Sequence, residues 1–130
     1  MKSILLVEDD LLNQTVIEDI FEFDDVPAQL ICADSGEEAI IKAVEHLPAL
    51  ILMDVRLPGI DGLEATRRIK ADPKTAEIPV WALTANAMKG DQEQALNAGC
   101  CDYITKPIHV KELTVRVKEF LKEISESVTS

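Results

Sequence analysis

Five times along the chain a short β-type run gives way to a segment whose apolar residues recur with helical spacing. Such alternation points to a parallel sheet covered by helices, because parallel neighbours cannot be joined by a hairpin and need a crossover. The strand candidates lie at about 3–8, 28–33, 49–54, 78–84 and 102–106. Three of them, Ile4-Leu5-Leu6-Val7, Leu50-Ile51-Leu52-Met53 and Val80-Trp81-Ala82-Leu83, are apolar without a break, as strands sandwiched between two helical layers should be. Gln29-Leu30-Ile31-Cys32-Ala33 is less apolar and belongs at an edge. Helices are expected near 10–23, 36–46, 62–71, 87–98 and 109–125. Ser35 with Glu38, and Asp61 with Glu64, have the spacing of a capping residue and its third-position partner. Gly99, after Leu96-Asn97-Ala98, is placed for a left-handed C-terminal cap. The last helix carries the clearest stripe, Val110, Leu113, Val117, Phe120 or Leu121, and Ile124.

A chain of 130 residues is one domain by size and can bury a core without disulfides or metals. Residues 1–124 are expected to form it, with 125–130 as a frayed polar tail too short to be an output module. Right-handed crossovers limit how five βα units can be wound, and the order 2-1-3-4-5 is a common solution, although the rule does not single it out. In that order the strands ending at Glu8-Asp9 and at Asp54 are neighbours at the point where the winding reverses, which is where such sheets bind ligands.

The strand ends carry the chemistry. Asp54 closes the run Leu50–Met53 and precedes Val55-Arg56-Leu57-Pro58-Gly59, so a carboxylate stands where a buried strand meets a turn. The first strand runs into Glu8-Asp9, the fourth into Thr84 and the fifth into Lys106. On one rim the three acids repel one another, and a pair of charges about 4 Å apart is worth about 4 kcal/mol at an effective dielectric near 20. A cation or a proton is needed. All-oxygen ligands suit Mg²⁺, and a divalent cation with Lys106 would bring the three carboxylates to neutrality. A carboxylate can attack phosphorus to give an aspartyl phosphate, and phosphoryl transfer asks chiefly for in-line positioning and charge compensation. Asp54 would be the nucleophile, Mg²⁺ and Lys106 the charge clamps and Thr84 the hydroxyl donor, with the small Ala85 leaving the approach open.

Each of these residues also has a structural explanation: Asp9 or Asp10 as a helix cap, Asp54 as a turn residue, Thr84 as a β-branched strand end, Lys106 as a solvated charge. Their coincidence at separate strand ends favours chemistry. Other signals are weak. Cys32, Cys100 and Cys101 fit neither a disulfide framework nor a zinc site and are expected as reduced thiols. His46 and His109 are isolated, and Asp24-Asp25 and Glu37-Glu38 resemble solvated faces. The net charge of -11 argues against nucleic acid and anionic membranes as partners. Only four apolar residues follow Met1-Lys2-Ser3 before Glu8, too few for a signal peptide, and the cytoplasm is the expected location.

The segments Ile4-Leu5-Leu6-Val7-Glu8-Asp9-Asp10, Leu52-Met53-Asp54-Val55-Arg56-Leu57-Pro58-Gly59-Ile60-Asp61-Gly62, Ala82-Leu83-Thr84-Ala85 and Lys106-Pro107 together resemble the response-regulator receiver domain of bacterial two-component signalling, of the single-domain chemotaxis or cell-cycle type. The resemblance implies a flavodoxin-like (βα)5 fold, doubly wound, with a five-stranded parallel sheet of order 2-1-3-4-5 and helices on both faces. It implies that Asp54 accepts a phosphoryl group from a histidine kinase or histidine phosphotransfer protein. Asp9, Asp54 and the backbone carbonyl of Arg56 would ligate Mg²⁺, with Glu8 assisting through water. Thr84 and Lys106 would contact the phosphoryl group, the Lys106–Pro107 peptide would be cis, and Tyr103 would be the aromatic partner of Thr84 in a two-state switch. Arg56, two residues after the nucleophile, would shield the acyl phosphate from water. A downstream protein would read the face of the fourth helix, fifth strand and fifth helix, including Met88, Lys89, Gln92 and Tyr103, whereas the kinase would dock on the first helix around Leu11, Asn13, Gln14 and Thr15.

Two rivals stand beside this reading. An aspartyl-phosphate phosphatase would use the same nucleophile and metal, but that class resembles Asp-x-Asp after the first strand, a pattern that neither Asp54-Val55-Arg56 nor Asp9-Asp10-Leu11 offers. An interaction module that keeps the fold without the chemistry is opposed by the intact set Asp9, Asp54, Thr84 and Lys106. A signalling domain rather than an enzyme is the expectation.

Overall fold

A computed structural model describes residues 2–85, 89–106 and 108–129, with side chains for all of these except 89–91, 110 and 125–129. In chain order the elements are β1 (Lys2–Val7), α1 (Leu11–Phe23), β2 (Ala28–Ala33), α2 (Gly36–His46), β3 (Leu50–Asp54), α3 (Gly62–Ala71), β4 (Val80–Thr84), α4 (Lys89–Ala98), β5 (Asp102–Thr105) and α5 (Val110–Thr129). The strands form one parallel sheet in the order β2-β1-β3-β4-β5. Every residue of β3 and β4 is buried, whereas β2 and β5 at the edges are mostly half-buried, which is why only the middle of the sheet reads as unbroken apolar runs.

Alternation along the strands divides the core in two. Leu5, Val7, Ile51, Met53, Val80 and Ala82 point to the side covered by α2, α3 and α4. Ile4, Leu6, Leu50, Leu52, Trp81 and Leu83 point to the side covered by α1 and α5, where Ile17, Phe21, Leu113, Val117 and Leu121 meet them. Burying a large aliphatic side chain contributes roughly 1.5–3 kcal/mol, so these two layers fix both the position of the helices and the register of the strands between them.

The helix ends follow the signals in the sequence. Asp10, Ser35 and Asp61 accept the N–H groups of Leu12, Glu38 and Glu64 at 2.9, 3.1 and 2.8 Å. Gly99 has φ +113°, and the N–H groups of Gly99 and Cys100 return to the carbonyls of Leu96 and Ala95, closing α4 with a Schellman turn. The same turn ends α1 around Asp25, a non-glycine residue at φ 52°. Two expectations shift. Helix α5 is assigned to Thr129, past the expected end near 125, and 110–129 contain neither glycine nor proline to stop it. Asp24 and Glu37 are not merely solvated: Asp24 Oδ2 accepts the Thr114 hydroxyl at 2.8 Å, tying α1 to α5, and Glu37 Oε1 accepts the Ile60 N–H at 2.9 Å. The expected start of the fourth helix at 87 lies outside the described residues, as does any statement on Met88 or on the isomer of the Lys106–Pro107 peptide. Among the described residues no helix is long and apolar enough to cross a membrane, and the three cysteines are free thiols.

Candidate functional site

Register delivers the site. Val7 pairs with Met53, Asp54 with Leu83, and Thr84 with Thr105, so Glu8, Asp54, Thr84 and Lys106 come to one rim of the sheet. The ladder continues past the strands to hold them there: Glu8 N–H donates to Ala33 O at 3.0 Å, Val55 N–H to Leu83 O at 3.0 Å, and Lys106 N–H to Thr84 O at 2.7 Å. Main-chain hydrogen bonds therefore fix the Cα positions of the rim before any side chain contributes.

Asp54 is 4% exposed and uses both carboxylate oxygens. Oδ1 accepts the Arg56 N–H at 3.0 Å, which makes Asp54 the turn residue it was weighed as, and Oδ2 accepts Lys106 Nζ at 2.7 Å. The two roles are compatible because one oxygen serves each. Glycine at 62 is what lets α3 begin against the end of β3: a Cβ there would meet Asp54 O at 2.0 Å, while Gly62 N–H donates to Val55 O at 2.9 Å.

Glu8 is more deeply enclosed, at 2% exposure. Oε1 accepts Asn13 Nδ2 at 2.7 Å, with Lys106 Nζ farther away at 3.7 Å, and the Glu8 carbonyl accepts Gln14 Nε2. Oε2 is buried with no hydrogen-bond partner. An isolated acceptor of this kind costs about 1–3 kcal/mol, more when charged. Burial, helped by the hydrogen bond that the protonated carboxyl can give to Asp54 and by the Asp54 charge, pushes the Glu8 carboxyl up to about 7, while Asn13 and Lys106 oppose the rise. Lys106 answers in the other direction. Burial acts to lower it, but the hydrogen bond to Asp54 and the charges of Asp54, Glu8 and Asp9 prevail and hold the ammonium above its ordinary range.

Asp9, exposed, completes the acidic group: one carboxylate oxygen from each of Glu8, Asp9 and Asp54 lies within 4.8 Å of the others. An unpartnered buried oxygen and three converging hard ligands fit a small oxygen-loving divalent cation, and the donor set is of the kind Mg²⁺ takes. Thr84, 8% exposed, stands at the end of the neighbouring strand, and the exposed Ala85 follows it. Tyr103 is half-buried and packs on the layer beneath α4, with its carbonyl accepting Arg116 Nη1 at 3.4 Å. Arg116 also pairs with Asp102 and stacks over Trp81 at 5.0 Å, joining α5 to β4 and β5.

One docking residue needs correction. Gln14 is buried with its amide turned to the Glu8 carbonyl, so it does not belong to an exposed face, whereas Leu11 and Leu12 are 72% and 70% exposed. What residue reasoning missed is the support around the rim: Asn13 and Gln14 gripping Glu8, and Glu37 holding the turn at Ile60. The only signal available for the first two was a pair of amides in the first turn after an acidic strand end.

The model of the response regulator receiver domain matches residues 4–118. The chain is 44% identical over 120 residues to the polar-differentiation response regulator DivK of Brucella ovis, covering 92% of this chain and 96% of the relative. It is similar, at 40% identity and a TM-score of 0.82, to the receiver domain of the sensor histidine kinase PA1611 of Pseudomonas aeruginosa, whose crystal structure has a magnesium ion coordinated in the active-site cleft, with 93% and 98% of the two chains covered. A further likeness, at 29% identity and a TM-score of 0.81 over 92% and 88% of the chains, is to the co-crystal structure of the Saccharomyces cerevisiae phosphotransfer protein Ypd1 with the receiver domain of Ssk1.

Proposed function

The chain belongs to the response-regulator receiver domain family, a signalling domain of two-component systems, and from that premise we propose that it is switched by transfer of a phosphoryl group to Asp54. The observation that carries the reading is the Asp54 carboxylate itself. It sits at the end of a fully buried strand, gripped through one oxygen by Lys106 and through the other by a main-chain N–H, with two further acids at hand.

Glu8, Asp9, Asp54 and the Arg56 carbonyl would hold Mg²⁺. When bound, the ion would neutralise charge on the acids and on the incoming phosphoryl oxygens. The chain's own groups do the rest. Asp54 supplies the attacking oxygen; an O–P bond forms as the P–N bond to the donor histidine breaks, and the imidazole leaves with the electron pair of that bond. Lys106 is already aimed at Asp54 and stays charged by its surroundings, so it can follow the negative charge onto the transferred group. Thr84 offers a hydroxyl from the adjacent strand. The acyl phosphate then biases a second arrangement of Thr84 and Tyr103, whose changed surface with α4 and α5 is read by a downstream protein. The donor, a sensor histidine kinase or phosphotransfer protein, docks beside the rim on α1 through Leu11, Asn13 and Thr15, with the exposed Leu12 next to them.

Mg²⁺ binds the folded state alone, so a thermal-shift titration tests the site. The melting temperature is expected to climb with Mg²⁺ in wild type and to climb less in Asp54→Asn. A wild type that ignores Mg²⁺ would favour an interaction module without the chemistry.

A further inference from the structure

We infer that Asn13 is a positioning residue for the metal site: by holding one oxygen of Glu8, it presents the other to the cation. The inference rests on the acidic group being a Mg²⁺ site. Asn13 lies in the first turn of α1, and its side-chain amide donates to Glu8 Oε1 at 2.7 Å, closer than the Lys106 ammonium at 3.7 Å. Glu8 Oε2 is buried and without a partner, and one Glu8 carboxylate oxygen lies within 4.8 Å of an oxygen of Asp54 and of Asp9. A neutral donor suits the task. It fixes the plane of the carboxylate while leaving its full negative charge for the ion, which a lysine or arginine in the same place would cancel.

Lys106 sharpens the point. Its ammonium is 2.7 Å from Asp54 Oδ2 but 3.7 Å from Glu8 Oε1, the oxygen that Asn13 occupies. With the amide in place, Glu8 has less need of the lysine, and the ammonium remains committed to Asp54. Without it, the buried Glu8 charge is free to rotate toward Lys106 and away from the cation. Gln14, the next residue, grips the main chain of Glu8, so the first turn of α1 fixes backbone and side chain separately. Asn13 therefore lies on the helix given to donor docking but faces the metal through Glu8, a task its position on that surface does not reveal.

The test is a double-mutant cycle read by calorimetric Mg²⁺ titration at a pH of about 8, where Glu8 is ionised. Asn13→Ala is expected to raise the Mg²⁺ Kd roughly tenfold, the lower end of what losing an outer hydrogen-bond partner of a metal ligand does. Alanine is a better helix former than asparagine, so a fall in the metal-free melting temperature would report the lost hydrogen bond to Glu8 and not a weakened α1. In the Glu8→Gln background, Asn13→Ala should change the Kd by less than about twofold, because the residue through which Asn13 acts no longer carries charge. A Kd for Asn13→Ala equal to that of wild type overturns the proposal, as does a full tenfold effect that persists in Glu8→Gln. A wild type that binds no Mg²⁺ removes the metal site and this role together, which separates that failure from the failure of Asn13 alone.

Discussion

A carboxyl group sealed from water and set beside a second carboxylate holds its proton into the neutral range, and Glu8 is in that position. Its pKa in the folded protein, about 7, lies above the ordinary 4.5, so the folded state binds more protons than the unfolded chain between those values. Stability should therefore fall as pH rises from about 4.5 to about 7, by on the order of 3 kcal/mol for this group. Urea denaturation of wild type and Glu8→Gln across that window should show the decline in the first and its loss in the second, and saturating Mg²⁺ should flatten the wild-type curve by replacing the proton. Equal slopes in the two proteins would contradict the assignment. Arg56 is exposed at the turn that Asp54 organises, so its side chain is free to lie over an acyl phosphate. Arg56→Ala is expected to shorten the lifetime of the phosphorylated state by on the order of threefold, the worth of one weak shielding contact, measured as decay of phosphoprotein at constant Mg²⁺. The acids and the threonine were legible because they follow apolar runs, and the lysine because it follows the last strand candidate. Asn13, Gln14 and Glu37 were not, because an amide or a surface acid names no partner until the helices are docked.

Strands and helices were legible for a different reason: period and caps are local. Ser35 and Asp61 cap where their spacing said, and Gly99 turns the chain where a left-handed residue was needed. The close approach between β3 and α3 was not readable, since it depends on a carbonyl brought in by the fold. Gly62 stands with its missing Cβ 2.0 Å from Asp54 O, a contact with backbone that no side-chain rotation relieves. Gly62→Ala should cost about 3 kcal/mol, the upper part of the range for overpacking, and the displaced turn should weaken Mg²⁺ binding as well. Chemical denaturation gives the first quantity and calorimetry the second; a variant as stable as wild type would mean that the junction yields. At the other helical layer Arg116 links Trp81, Asp102 and the Tyr103 carbonyl, so the indole senses the strand that ends in Thr84 and the helix beside Tyr103. Its fluorescence is expected to change in a Mg²⁺ titration.

For the protein as a whole, the strand order was recoverable only in part. Alternation demanded a parallel sheet with two helical layers, but several windings obey right-handed crossovers, and the observed order rests on long-range register between β1 and β3 that no local pattern encodes. That register is what puts Glu8 beside Asp54, so topology and chemistry are the same fact at this rim. The measurement that bears most directly on the account is intact-protein mass spectrometry after incubation with acetyl phosphate. Wild type should gain the mass of one phosphoryl group in the presence of Mg²⁺ and none after chelation, and Asp54→Asn should gain none in either condition. A wild type that stays unmodified with Mg²⁺, or an Asp54→Asn variant that is modified like wild type, would contradict it.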